Sequence, residues 1–225
     1  MKLYHSLLYT VCTLVLFCDG KKLESGKTSY KIDTEKAVRM LLSYKFLIVS
    51  RGVYNQPDYP RCVCSRLKTV SPVKYNHNLT YLDIYAKGQS ELGKRVYRDA
   101  FYMVKKEKST LHFSVVAYMS NHVEDEKVSG SYEVFYANKE CFIAGTPLQS
   151  EKSNSVSKIT STHKGNPACL LWRKPHAREA SRVRCRAAFK SRCYRYGVHK
   201  FVFTRDACLK KNMTKVSWPA AKDLN

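Results

Sequence analysis

Residues 96–105 read VYRDAFYMVK, residues 111–119 read LHFSVVAYM and residues 128–137 read VSGSYEVFYA. These three stretches are rich in β-branched and aromatic residues, which favour strands. The same character extends over residues 44–137, where turn signals recur about every ten residues. This spacing is typical of a meandering antiparallel sheet.

We predict eight strands along the chain. They cover residues 44–54, 61–70, 79–86, 96–105, 111–119, 128–137, 141–144 and 168–173. Eight strands can close into an up-and-down barrel whose interior holds side chains or one small ligand, and closure removes the exposed edges. The sequence therefore predicts a mainly β protein built on an eight-stranded antiparallel barrel.

Two helices are predicted to flank this barrel. Asp33 suits an N-cap for a short helix, with Glu35 in the first turn, where the helix dipole favours an acid. Residues 177–194 read as a second helix. Three of its residues recur every four positions and so share one face, which we expect to be clamped onto the outside of the barrel. They are Cys185, Phe189 and Cys193.

The N-terminus has the pattern of a secretory signal peptide over residues 1–20. An apolar stretch follows Lys2, is too short to span a membrane, and ends at the small and polar residues Cys18, Asp19 and Gly20. We therefore expect a secreted, extracellular protein with a single domain over residues 21–225 and no membrane anchor. Seven cysteines follow this segment. In an oxidising compartment they predict three disulfides and one free thiol.

The chain is strongly basic, with a formal net charge of +22 and a pI near 9.7. The excess is concentrated in residues 173–215. For a secreted protein this charge favours extracellular anions over nucleic acid, and a heparin-like glycan or an acidic host protein would be such a partner. The alternative is a solvated basic face that only keeps the protein soluble.

Catalytic motifs are not found. The histidines have no zinc-site spacing, and the sequence contains no nucleophile elbow and no phosphate-cradling glycine loop. We therefore predict a binding protein with no enzymatic activity, no metal and no cofactor. Two sequons, at Asn78 and Asn212, predict N-glycosylation on a secreted surface.

One strand is expected to present its side chains to the barrel interior. Tyr132, Val134 and Tyr136 are spaced two apart and should point to the same face. A neighbouring strand adds a second set to this aromatic and aliphatic cavity. It consists of Phe113, Val115 and Ala117. These side chains either line a ligand cavity or simply fill the core of the barrel.

Several short motifs, in this order and spacing, carry a resemblance to a known family. They are Cys62-Val63 in an early strand, residues 132–136 (YEVFY), 140–143 (ECFI), 168–172 (ACLLW) and 203–208 (FTRDAC). With these motifs the chain resembles the tick salivary lipocalins, in particular the histamine-binding salivary proteins. The resemblance covers nearly all of the chain that follows the signal peptide.

The resemblance implies a disulfide pattern and a barrel closed by an N-terminal helix, with the C-terminal helix packed outside. The implied pairs are Cys62 with Cys208, Cys141 with Cys185, and Cys169 with Cys193. Cys64 is then the free thiol. Because Cys62 and Cys64 point to the same face of one strand, either of them could take Cys208.

The resemblance also implies a monomer that captures small host mediators. Capture of these mediators would counter the host's inflammatory defence. The family's ligands include biogenic amines such as histamine or serotonin, and leukotrienes or other anionic lipids. The positions that match its ligand-binding segments are Asp33, Glu35, Tyr132 and Trp172. Two acids of the histamine pattern are replaced, by Tyr132 and Leu170, which removes charge-assisted bonds that a small cation needs. A biogenic amine remains the first expectation, an anionic lipid is one alternative, and a scaffold whose basic surface binds a glycan or protein is another.

Overall fold

A computed structural model describes residues 33–55, 57, 59–83, 93–147 and 167–209. The predicted signal peptide and Asn212 lie outside these ranges. The elements are α1 (Thr34–Leu42), β1 (Phe46–Tyr54), β2 (Arg61–Val70), β3 (Tyr75–Asp83), β4 (Lys94–Glu107), β5 (Thr110–Tyr118), β6 (Gly130–Ala137), β7 (Cys141–Gly145), β8 (Ala168–Arg173), α2 (Glu179–Cys193), a 3₁₀ turn (Tyr194–Tyr196), β9 (His199–Val202) and α3 (Arg205–Leu209).

Strands β1 to β8 close into an antiparallel barrel. Each strand pairs with the next, β8 pairs with β1, and the first half of β1 also pairs with β2. Where β2 leaves β1, β9 takes its place and pairs with the second half of β1, from Arg51 to Tyr54. The predicted eight-stranded antiparallel barrel is confirmed, and β9 extends the sheet along one strand.

Strand β3 begins at Tyr75, four positions before the predicted start at residue 79. Alternate residues Tyr75, His77 and Leu79 are buried, while Asn78 is exposed on the outer face. The asparagines made this stretch look like a turn, although polar residues suit the outer face of a half-buried strand. Asn78 therefore lies within a strand, and its glycosylation stays a prediction.

Two irregularities change which side chains face the interior. The pairing of β1 with β8 shifts between Val49 and Arg51, and the pairing of β6 with β7 shifts between Val134 and Tyr136. An extra residue in one strand moves the following side chains to the other face. Tyr136 consequently packs against the outer cluster beneath α2, and the expectation that it lines the interior is wrong.

Helix α1 closes one end of the barrel. Asp33 caps it as predicted, because its Oδ1 accepts a hydrogen bond of 3.1 Å from the backbone N–H of Glu35. The side chain of Arg39 donates to the carbonyl of Val104 at the end of β4 over 2.9 Å. The buried residues of the helix are Ala37, Val38, Leu41 and Leu42. The last three of these join the cluster inside the barrel.

Helix α2 lies on the outer surface of the barrel. Its buried residues are Ser181, Cys185, Phe189 and Cys193, so the predicted stripe of Cys185, Phe189 and Cys193 is confirmed and Ser181 extends it by one turn. Three disulfides lie within the described ranges, and two of them join this stripe to β7 and β8. The disulfides are Cys62–Cys208, Cys141–Cys185 and Cys169–Cys193, the pairs that the resemblance implies. Cys64 is a free, buried thiol.

Candidate ligand-binding interior of the barrel

Aromatic rings fill the centre of the barrel around Phe113. The ring of Phe113 lies 5.5 Å from that of Tyr102, 6.0 Å from that of Tyr132 and 5.2 Å from that of Phe142, measured between centroids. Trp172 stacks on Phe142 with an interplanar angle of 3°. Such contacts add to the free energy that aromatic burial itself contributes. The centre is therefore an apolar, aromatic environment.

A chain of polar side chains crosses this interior below α1. The hydroxyl of Tyr102 lies 2.8 Å from Ser65 Oγ, which lies 3.0 Å from His77 Nδ1, and His77 Nε2 lies 2.9 Å from the carbonyl oxygen of Leu42. A carbonyl can only accept, so Nε2 carries the proton and Nδ1 accepts from Ser65. Ser65 in turn accepts from Tyr102. The chain thus satisfies each of its members and joins the end of α1 to the barrel.

These polar groups are neutral at physiological pH. Burial lowers the pKa of His77 to about 4, and the hydrogen bond to Leu42 only partly opposes this. Burial likewise raises the pKa of the Tyr54, Tyr59 and Tyr102 hydroxyls above their ordinary range. A ligand inside the barrel would therefore meet neutral hydrogen-bonding groups.

Two further tyrosines reach into the interior from the end opposite α1. Tyr54 at the end of β1 and Tyr59 before β2 are stacked, with centroids 4.2 Å apart and planes at 9°. The hydroxyls of Tyr59 and Tyr132 lie 3.4 Å apart. Tyr54 lies directly over Gly52, where a Cβ would collide with its phenol ring. Glycine is needed at position 52 because the Tyr54 ring occupies the space of a side chain.

Two polar atoms in this interior are left without hydrogen bonds. The hydroxyl of Tyr54 and the indole N–H of Trp172 are buried, and neither has a hydrogen-bond partner among the described residues. Leaving a buried donor unpaired costs about 1–3 kcal/mol, so native proteins rarely do so without a reason. Both groups can donate to an acceptor that enters the barrel.

A buried carboxylate lies at the end opposite α1. Asp125 accepts hydrogen bonds from the Tyr81 hydroxyl at 2.6 Å and from Arg98 Nε, and the Arg98 side chain is itself only 14% exposed. The guanidinium of Arg98 also lies over the Tyr81 ring, 5.6 Å from its centroid. Asp125 is therefore neutralised by Arg98 and is not an open site for a cation.

The structure divides the predicted ligand-binding residues between two places. Tyr132 and Trp172 lie inside the barrel. Asp33 and Glu35 instead line a groove of about 360 Å³ at the α1 end, and Val134, which packs against the interior cluster, borders the same groove. The buried face of α1 belongs to the interior cluster, while the first turn of the helix borders the groove. A single site that combines these residues is therefore not formed.

Sequence reasoning missed the residues that give the interior its polar character. They are Tyr54, Tyr59, Ser65, His77 and Tyr102. The alternation of Tyr75, His77, Leu79 and Tyr81 was a usable signal for His77, since it places the histidine on the inner face. Tyr54 had no such signal, because the irregularity in β1 changes its face.

Within the described ranges, no three histidine, cysteine or acidic side chains are grouped so that they could hold a metal ion. None of the helices described there has the length and apolar character needed to cross a membrane.

The described barrel, with a helix at one end and another outside it, has the architecture of the up-and-down barrels of lipocalins. The fold expected from the resemblance is thus confirmed.

Comparison with known proteins finds similar barrels at low identity. Japanin from Rhipicephalus appendiculatus, solved bound to cholesterol, is 13% identical, with 72% of this chain and 93% of that chain covered and a TM-score of 0.45. Lobster apocrustacyanin A1 is 9% identical, with 74% and 78% covered and a TM-score of 0.41. No family model and no curated protein matches the chain.

Proposed function

We propose that this protein is a secreted carrier that binds a small, largely apolar molecule inside its barrel and performs no catalysis. The observation that supports this most directly is the pair of unpaired buried donors, the Tyr54 hydroxyl and the Trp172 indole N–H. A ligand with oxygen acceptors would satisfy both. The three disulfides suit an extracellular protein.

The chemistry of the interior favours a neutral apolar ligand body over a small cation. Among the described residues the buried acids are Asp125 and Glu140, and each is already paired with an arginine. Leu170 and Tyr132 stand in the interior where the histamine pattern has acids. A buried ammonium without a carboxylate partner is strongly disfavoured. If the ligand carries a carboxylate, that group must stay at an open end of the barrel, where water can solvate it, because the described interior offers no free cation. A lipid-like mediator fits these requirements better than a biogenic amine.

Entry of such a ligand requires the stacked pair of Tyr54 and Tyr59 to move. Tyr59 is buried and belongs to the interior cluster, yet it lies between β1 and β2 rather than in a strand. Its hydroxyl makes one long contact of 3.4 Å with Tyr132. Loop residues move more readily than strand residues. We therefore place ligand entry at the end opposite α1.

A titration with a fluorescent fatty acid tests the proposal. The variant Trp218→Phe leaves Trp172 as the single tryptophan of the chain. Saturable binding of one probe molecule should quench Trp172. In this background Tyr54→Phe should weaken binding about tenfold, the effect of losing one hydrogen bond, while it stabilises the free protein by removing an unpaired buried group.

The matched control is Tyr102→Phe. This change also removes one buried phenol oxygen, but that oxygen is already hydrogen-bonded to Ser65. It should lower the stability of the protein and leave probe affinity nearly unchanged. The proposal is wrong if no probe binds saturably, or if the Tyr54 and Tyr102 variants lose affinity equally.

A second candidate, capture of a biogenic amine, is favoured by the groove beside α1. Asp33, Glu35 and Glu133 all line it, although Lys106 lines it too and Glu35 is paired with Arg39 over 2.8 Å. We expect histamine to bind more weakly than micromolar, the affinity that needs about 8 kcal/mol. Calorimetry measures this constant. A nanomolar constant that Glu133→Gln abolishes would establish the groove as the amine site.

A further inference from the structure

A small pocket on the outside of the barrel collects basic side chains. It has a volume of about 250 Å³ and lies where β8, β9 and α2 meet the outer face of β1. Its lining residues are Ile48, Arg173, Pro175, Arg182, Phe203 and Arg205. Phe203 packs against the cluster that contains Ile48, and its backbone N–H donates to the carbonyl of Ser50 over 3.0 Å. The pocket thus combines an apolar wall with three guanidinium groups.

Arg173 is held in place at the end of β8. Its Nη1 donates to the carbonyls of Lys174 and Pro175, each over 2.8 Å. These bonds occupy one nitrogen, and no hydrogen bond within the described structure involves Nε or Nη2 of Arg173. A guanidinium fixed by the backbone on one side and free on the other is pre-organised to bind an oxyanion.

Positive charge around this pocket exceeds negative charge. The described carboxylate beside the pocket is that of Glu179. It pairs with both Arg182, at 3.1 Å, and Arg186, at 2.7 Å. Among the residues whose side chains are described, neither Arg173 nor Arg205 has a carboxylate partner. Among the described side chains, four arginines thus meet one acid. An anion in the pocket would relieve this repulsion.

The pKa of Arg173 shows the same imbalance. Burial, followed by the charges of Arg182 and Arg186, lowers this pKa to about 10. The attraction of Glu179 is smaller than these effects. The surroundings therefore disfavour the positive charge of Arg173 as long as no anion is present.

We propose that this pocket binds the sulfate or phosphate ester group of an anionic sugar. Three guanidinium groups supply donors for a tetrahedral oxyanion, and the apolar wall of Ile48 and Phe203 offers a surface for the carbon ring that carries it. The site lies outside the barrel and is independent of the interior ligand. It gives the basic C-terminal region a defined recognition site in place of diffuse charge.

Calorimetry with glucosamine 6-sulfate and glucosamine 6-phosphate tests the proposal, because these probes share one ring and differ only in the ester. The double variant Arg182→Gln/Arg205→Gln should weaken binding of the preferred ester at least about tenfold. The control, Arg184→Gln/Lys190→Gln, removes two charges from exposed positions of α2 that do not line the pocket. It should change affinity less than about twofold.

The outcomes separate clearly. Preference for the sulfate ester indicates a sulfated glycan as the natural source, and preference for the phosphate ester indicates a phosphorylated sugar. Saturable binding of neither ester, or equal losses in the pocket variant and the control, overturns the proposal and leaves nonspecific charge. Arg173→Gln should also weaken binding of the preferred ester and serves as a second test. If that variant does not fold, the result for Arg182→Gln/Arg205→Gln decides. Affinity of the interior probe should be the same in all these proteins, which keeps the two proposals distinct.

Discussion

The two longer helices of this protein are attached to the barrel by different forces. Helix α1 buries four of its nine residues and joins the interior cluster without a covalent link. Helix α2 buries four of its fifteen residues, and two of these four are the disulfide partners Cys185 and Cys193. Its remaining surface is largely basic. Covalent attachment thus lets α2 carry a charged surface that apolar packing alone would support poorly.

The two helices also differ in how the polar groups at their ends are hydrogen-bonded. The end of α1 closes a complete chain of hydrogen bonds through Leu42 and His77. The start of α2 is held by Glu140, whose carboxylate accepts from the backbone N–H of Arg178 at 2.6 Å and from its Nε at 2.7 Å. One attachment is buried and neutral, and the other lies near the surface and is charged. Removal of cysteines, truncation of the core, acid and removal of charge should therefore change the free energy of unfolding by different amounts at the two helices.

The largest effect should follow removal of a disulfide from α2. Cys141 and Cys185 are separated by 44 residues, so the variant Cys141→Ala/Cys185→Ala should lose about 4 kcal/mol of unfolding free energy in urea. Cys64→Ala is the control, because it truncates a buried cysteine that has no disulfide. That variant should lose about 1 kcal/mol. Equal losses would mean that the cross-link itself contributes little.

Truncation of the buried face of α1 should come next. Leu41 is fully buried against the barrel interior, and Leu41→Ala should cost about 3 kcal/mol through lost burial and the cavity left behind. Met40→Ala changes the neighbouring residue, which is 41% exposed, and should cost less than about 0.5 kcal/mol. Urea denaturation measures both. A small loss for Leu41→Ala would show that α1 is not held by apolar packing.

Acid should weaken the attachment of α1 through His77. The unfolded histidine takes up its proton below a pKa of 6.5, whereas the folded one does so only near pH 4. The unfolded state therefore binds more protons in this window, and unfolding free energy falls as pH decreases, by about 3 kcal/mol between pH 6.5 and 4. The variant His77→Gln should lack this part of the pH dependence. The difference between the two proteins should be constant above pH 7, and parallel curves at all pH values would contradict the prediction.

Removing the charge of Glu140 should have the smallest effect. The partner side chain of Arg178 is 75% exposed, so solvent screens the ion pair, and the carboxylate mainly stabilises the start of α2 by accepting from the backbone N–H of Arg178. Glu140→Gln should cost about 1 kcal/mol of unfolding free energy. Glu126→Gln removes an exposed carboxylate away from any helix and should stay within about 0.5 kcal/mol. A loss of several kcal/mol for Glu140→Gln would show that this attachment is not a weak, screened one.

Much of the fold could be predicted because its signals are local. The strands at residues 61–70 and 168–173 have the predicted bounds, and the stripe of Cys185, Phe189 and Cys193 follows from helical spacing alone. The candidate site could be predicted only in part. Trp172 and Tyr132 lie in the interior as expected, but Tyr136 does not, because an irregularity in β6 depends on how that strand pairs with β7.

What the sequence by itself determined is the set of eight strands, the cap at Asp33 and the face of α2, since each depends on residues close together in the chain. Only the tertiary structure decided which polar groups meet inside the barrel and which are left unpaired. His77 finds Ser65 and Leu42 through strand register and the docking of α1. Tyr54 lies over Gly52 because an irregularity in β1 turns both inward. Such contacts depend on distances between separate segments, and no local pattern of residues encodes those distances.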